Sequence, residues 1–223
     1  PVFRDEYSLS FFQVGVITLV FQITASLLQP LIGLFTDRRP APMALPFAMG
    51  FTLIGLVLLA LSNSYPTLLI SVALVGVGSA VFHPEASRAS RAASGGRHGF
   101  AQSLFQVGGN FGQSLGPLMA AFIVLPHGQK SVLFFTVLAF AAILLLYRVA
   151  QWQVAHLTAA RKAPAAAPVE RLPRAIVWRS ITILVVLLFS KTFYLASLNS
   201  YYTFYLIDAF HVSKQMAQVL LFV

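Results

Sequence analysis

Cysteine is absent from these 223 residues, so no disulfide, thiol chemistry or cysteine metal site defines the chain. Charge is nearly as scarce. Asp, Glu, Lys and Arg make up 9% of the sequence, with six acidic residues, where soluble domains carry about 25% charged residues. That scarcity argues against a soluble globular domain. An intramembrane enzyme is excluded by a different lack. The sequence offers no acid dyad, no His pair at ligand spacing and no nucleophile–base constellation, and it carries no cofactor or metal motif. What is plentiful is apolar: 58% hydrophobic residues and a mean hydropathy of +0.80. The fold class expected is an all-α polytopic membrane protein embedded in a lipid bilayer.

A spanning helix needs about 20 mostly apolar residues. Such runs occupy about 10–36, 43–62, 66–92, 99–125, 130–150 and 177–207, and another begins near Ser213. Turn chemistry separates them at 37–42, 62–66, 94–99 and 126–128. The stretch 151–175 is basic and rich in Ala and Pro, and reads as a linker between two helical halves. The chain starts at Pro1 without an initiator Met or signal-peptide pattern, and 219–223 is apolar but short of a span. It therefore reads as part of a longer protein.

The formal charge of +9 raises nucleic-acid binding, but the bases are sorted by loop. Arg38, Arg39, Arg88, Arg91, Arg97, Arg148, Arg161, Lys162, Arg171, Arg174 and Arg179 fall on one side. Arg4, Lys130 and Lys214 fall on the other, and Lys191 lies inside a span. The positive-inside rule then makes loops 37–42, 93–99 and 151–175 cytoplasmic. A multi-pass membrane protein without a nucleic-acid partner is expected.

The 99–125 run carries two opposed stripes. Gln102, Gln106 and Asn110 recur every four residues. Gly108, Gly112 and Gly116, followed by Pro117, recur on a face offset by roughly 200°. Small residues permit close helix approach in membranes, whereas amides offer donors and acceptors to a polar ligand or to another helix. The amide stripe suggests the wall of a transport cavity, with interhelical bonding as the other reading. Gln22, Ser26 and Gln29 share a face with Gly15 and Gly33 on the first span, where lining and packing are equally open.

Lys191 is a charge inside a span, and such a charge faces a cavity, finds a partner or snorkels. Tyr194, Asn199, Tyr201, Tyr202 and Tyr205 fall within roughly 80° of it on a helical wheel. This polar-aromatic face suits an anionic substrate, with Lys191, Tyr194, Asn199 and Tyr202 as candidate contacts. The alternatives are an acid elsewhere for Lys191 and an interfacial belt for the last tyrosines. His83, Glu85 and Arg88 could relay protons; a structural Glu85–Arg88 pair closing a cytoplasmic gate is the stronger expectation. Asp37 is expected to cap a helix end or to pair with a nearby Arg, such as Arg91.

The 33–38 stretch, Gly-Leu-Phe-Thr-Asp-Arg, resembles the loop between helices 2 and 3 of the major facilitator superfamily, with matches at Gly33, Asp37 and Arg38. The loop's second glycine is Pro40 here, and its closing basic pair is Ala41-Pro42. Gly112-x-x-x-Gly116-Pro117 is similar to the fifth-helix signature of drug antiporters in that superfamily, with Ser103 where the signature has its first glycine. The superfamily's fourth-helix Arg falls near Val72 and is missing. Longer strings at 81–85, 92–99, 106–112, 189–191 and 200–206 resemble a bacterial drug-resistance branch whose drug is a phosphonate.

The resemblance implies two six-helix halves, of which only part is present. Residues 1–150 would be helices 2–6 of the N-terminal half, 151–175 the cytoplasmic central loop, and 176–223 helix 7 with the start of helix 8. It implies a secondary active transporter, no enzyme, that exports a small polar or anionic drug against proton entry by alternating access. The partners implied are a small-molecule substrate and protons, and the protein would act as a monomer. In the superfamily the Gly33–Asp37–Arg38 loop steadies the outward-open state. The alternative is an uptake carrier of the same fold for an organic anion or a sugar.

Overall fold

The computed structural model describes residues 7–162 and 173–222, except the side chains of 159–162, 196–201, 203, 204, 208, 214, 218, 221 and 222. Helix α1 is Phe11–Arg38, α2 is Ala44–Leu61 and α3 is Tyr65–Ala92. Helix α4 is His98–Met119, continued by a π-helical segment Ala120–Val124 and a last turn Leu125–His127. A 3₁₀ turn at Gln129–Val132 leads into α5, Leu133–Lys162. Helix α6 is Arg174–Phe210 and α7 is Lys214–Phe222. No strand occurs among the described residues.

Sequence chemistry accounts for the ends and the irregularities. Ser10 and Gln13 form a reciprocal capping box at the start of α1, and Ser64 and Thr67 form another at the start of α3. Within α1, residues Ile23–Leu27 widen into a π-helical segment. Pro30 has no N–H to give the carbonyl of Ser26, which lies in that segment. Pro126 stands in the same relation to Phe122, inside the π-helical segment that ends α4. Helix α5 runs to Lys162, so the part of the expected linker at 151–162 is helical. Its Ala, Gln, Leu, Arg and Lys favour helix, and the first helix-breaking residue after it is Pro164.

Among the described residues, five helices are long and apolar enough to cross a membrane: Phe11–Arg38, Ala44–Leu61, Tyr65–Ala92, Gln129–Thr158 and Arg174–Leu195. Helix α4 is not among them. Gln102, Gln106, Asn110 and Gln113, together with its glycines, lower its hydropathy.

The chain divides into two compact units, residues up to Gln113 with Ile123–Lys162, and Ser114–Phe122 with the chain after Lys162. In the first unit α2 packs along α3, α5 packs on α2, and α1 packs on α3. The buried contacts are mostly small: Ala48, Ala60, Ala80 and Ala150 sit with Leu45 and Leu68. Where hydrocarbon surrounds the helices, close van der Waals fit is what holds them. A Cβ on Gly78 would meet the Ala48 carbonyl at 2.6 Å, and one on Gly55 would meet the Ser71 carbonyl at 2.8 Å. A Cβ on Gly76 would run into the Thr24 side chain and lie 3.1 Å from the Phe21 carbonyl. By contrast, a Cβ on Gly108, Gly112 or Gly116 meets nothing within 4 Å, so no described residue packs closely on that stripe.

Polar bonds pin one end of this unit. Gln129 Nε2 donates to the Leu59 carbonyl (2.7 Å), the Ser62 carbonyl (2.9 Å) and Ser62 Oγ (2.8 Å). Tyr7 OH also bonds to the Ser62 carbonyl. Tyr65 OH donates to the Gln13 carbonyl at 3.1 Å. In the second unit α6 ends where His211 turns left-handed (φ 53°), and Tyr205 meets Phe210 edge to face at 5.7 Å.

Candidate functional site

Three helices of the first unit line an open cavity of about 600 Å³ that carries several polar side chains. Helix α1 contributes Ser26, Gln29 and Pro30. Helix α3 contributes His83, Pro84 and Ser87, and α4 contributes Gln102, Phe105 and Gln106. Ser87 Oγ donates to Gln102 Oε1 at 3.1 Å, and Ser90 Oγ donates to the Ala101 carbonyl at 3.1 Å, which ties α4 to α3. The edge of the His83 ring meets Phe82 at 5.8 Å between centroids. The walls therefore offer three amides, two hydroxyls and an imidazole, with aromatic surface from Phe105. Such a wall can donate to and accept from a small polar molecule or anion.

The structure brings together Gln29, His83, Gln102 and Gln106 from the candidates chosen on sequence. Gln22 and Asn110 are exposed and do not line this cavity. The π-helical segment lies between Gln22 and Gln29, and its wider turn rotates the two apart. Asn110 lies roughly 12 Å along the helix from Gln102, beyond the cavity. Ser87 and Phe105 were not among the candidates. Ser87 stands four residues from His83, the spacing that shares a helix face.

His83 and Glu85 do not act as neighbours, because two residues of helix set them roughly 200° apart. Glu85 is fully buried, and its Oε1 accepts from Arg88 Nη1 at 2.8 Å. Its Oε2 has no hydrogen-bond partner among the described residues. The other arm of Arg88, Nη2, reaches Asp37 Oδ1 at 2.5 Å. The expected Glu85–Arg88 pair is present, but the partner of Asp37 is Arg88 rather than Arg91. Arg88 lies one turn nearer the end of α1, which brings it within reach of Asp37. Gly33 and Arg38 flank this contact on α1, and Arg38 is exposed.

Lys191, Tyr194, Tyr202 and Tyr205 lie on α6 in the second unit and are exposed. No ion pair to Lys191 occurs among the described residues. The side chains of Asn199 and Tyr201 lie outside the described residues.

All 223 residues match the model of the Major Facilitator Superfamily, and the chain belongs to that family. It is 53% identical over 222 residues to the fosmidomycin resistance protein of Escherichia coli (strain K12), covering 100% of this chain and 55% of that relative. It is 37% identical over 226 residues to the uncharacterized MFS-type transporter YfnC of Bacillus subtilis (strain 168), again covering 100% of this chain and 55% of the relative. The chain thus spans about half the length of the curated relatives it matches. No solved structure matches it.

Proposed function

We propose that the full-length protein is a secondary active exporter of fosmidomycin or a related small phosphonate, driven by proton entry. It would work as a monomer in the bacterial inner membrane by alternating access between its two halves. The substrate would sit against the cavity of Gln29, His83, Ser87, Gln102 and Gln106. One observation supports this reading: polar candidates from three separate stretches of sequence line one open cavity. The likeness to a fosmidomycin resistance protein supplies the substrate class.

The chemistry is simple. Phosphonate oxygens accept hydrogen bonds, and the Gln NH₂ groups and the Ser87 hydroxyl donate them. Lys191, assigned on its place inside a span alone, adds attraction for an anion. His83, whose imidazole can donate or accept a proton, lines the cavity. It is the residue of this half best situated to exchange a proton with a bound substrate. Asp37, Arg88 and Glu85 form a latch at the basic end of the unit, which the K/R distribution assigns to the cytoplasm.

Everted membrane vesicles containing the full-length protein test this. Under a respiration-generated proton gradient, adding fosmidomycin should release protons from the vesicle interior. Release should fall at least tenfold in Gln106→Leu. No drug-dependent release from wild type, in vesicles that hold their gradient, would withdraw proton-coupled export of this drug.

A further inference from the structure

A second, open cavity of about 480 Å³ lies at the basic end of the first unit, and its lining includes two arginines and two histidines but no carboxylate. Arg88 and Arg91 come from the last turns of α3, His98 from the first turn of α4, and His156 from α5. The turn between α3 and α4 forms its floor. There Gly95 and Gly96 adopt φ +54° and +90°, and a Cβ on either would meet nothing within 4 Å, so space stays open above the backbone. His98 is held by its Nδ1 against Ser94 Oγ at 2.7 Å, which leaves Nε2 as the ring's other polar atom. His156 stacks on the half-exposed Trp152 ring at 5.2 Å. Four basic groups thus converge from three helices, two of them oriented by neighbours, and a guanidinium suits phosphate oxygens.

We infer that Arg91, His98, His156 and the 94–96 turn bind a phosphate group, carried by the headgroup of an anionic membrane lipid. Phe100 and Trp152 are exposed apolar surface close by in sequence, as an amphiphile's site needs and a free phosphate's does not. Basic pockets among spanning helices on the cytoplasmic side are suited to such headgroups. The lipid assignment rests on the membrane orientation proposed above, whereas phosphate binding does not. Arg88 lines this cavity and also holds Asp37 and Glu85. A bound phosphate therefore competes for the guanidinium of the latch and would loosen its hold on Asp37.

The test measures binding and needs no transport. The full-length protein is reconstituted in phosphatidylcholine doped with spin-labelled phosphatidylglycerol, and the relative association of the label is read from its immobilised fraction. Arg91→Gln should lower it roughly fivefold, the effect of one interfacial charge, and Arg91→Lys should keep most of it. Arg97→Gln, a neighbour that does not line the cavity, should change it by less than about twofold, because its charge acts on the headgroup only at a distance through screening water. Arg91 is exposed, so these variants should melt like wild type. If the lipid shows no selectivity but inorganic phosphate broadens its ³¹P signal with wild type and not with Arg91→Gln, the phosphate site stands and its carrier is soluble. Equal effects of Arg91→Gln and Arg97→Gln, or no dependence of either ligand on Arg91, would overturn it.

Discussion

Arg88 reaches across 51 residues of sequence to Asp37 at 2.5 Å, while its other amino group holds Glu85 one turn back on its own helix. The two arms differ in kind. The Asp37 side chain is 69% exposed and the Glu85 side chain is fully buried. An exposed pair contributes little, about 0–1 kcal/mol, whereas losing one partner of a buried pair costs about 3–5 kcal/mol. Asp37→Asn should therefore lower the stability of the detergent-solubilised protein by less than about 1 kcal/mol. Arg88→Met should lower it by several times as much, and adding Glu85→Leu should recover most of that loss. Chemical denaturation of the three variants checks the order; equal losses for Asp37→Asn and Arg88→Met would contradict it.

The small-residue contacts give a second prediction. Gly76 faces Thr24 and Gly78 faces the Ala48 carbonyl with no space for a methyl group. Overpacking of this kind typically costs about 1–3 kcal/mol. Gly78→Ala meets backbone and should sit at the upper end. Gly76→Ala meets the Thr24 hydroxyl, and Thr24→Ala in the same chain, which removes that oxygen, should relieve part of its cost. Thermal melts of the single and double variants test the coupling.

Gln129 ties the turn before α5 to the end of α2. Its amide is buried, and it donates to carbonyls that the end of a helix leaves unpaired. Gln129→Leu would leave those carbonyls buried without a donor, at a cost of about 1–3 kcal/mol. Hydrogen exchange should then quicken in the last turn of α2, while the basic end of α3 keeps its protection. Uniform quickening across the unit would argue against a local tie.

Much of this was legible in the sequence. Ser64, Pro66 and the 94–99 turn mark ends of helices that begin and finish within a residue or two of where turn chemistry puts them. Gln102 and Gln106 were legible because a stripe needs only the period of one regular helix. What escaped needed geometry that no period carries. The π-helical segment before Pro30 separates Gln22 from Gln29, and a strict 3.6-residue wheel puts them together. The choice of Arg88 over Arg91 depends on how α1 and α3 pack. The close glycines, Gly55, Gly76 and Gly78, sit in apolar runs without the repeat that makes Gly108, Gly112 and Gly116 stand out. Gln153, 2% exposed and with no partner for its Oε1 among the described residues, has no sequence signal that separates it from the exposed Gln151.

Lys191 and the cavity can be separated by charge. Lys191→Gln keeps a hydrogen-bond donor and removes the attraction for an anion. If Lys191 serves substrate binding, this variant should weaken a dianionic phosphonate more than its monoester, by roughly tenfold, since each lost charge interaction is worth about 1.4 kcal/mol or more in a partly dehydrated site. Competition for fosmidomycin transport by the two forms reads the difference. An equal effect on both would assign Lys191 to structure.

The most direct measurement is equilibrium binding of labelled fosmidomycin to the purified full-length protein, comparing Gln29→Leu and Gln106→Leu with Gln22→Leu. All three remove an amide that sequence alone treats alike, but the cavity holds only the first two. The account predicts at least a tenfold loss of affinity for Gln29→Leu and Gln106→Leu, and less than about a twofold change for Gln22→Leu, since a lost bond to a charged group costs about 1.5–3 kcal/mol. Unchanged affinity in the first two, or an equal loss in Gln22→Leu, would contradict it.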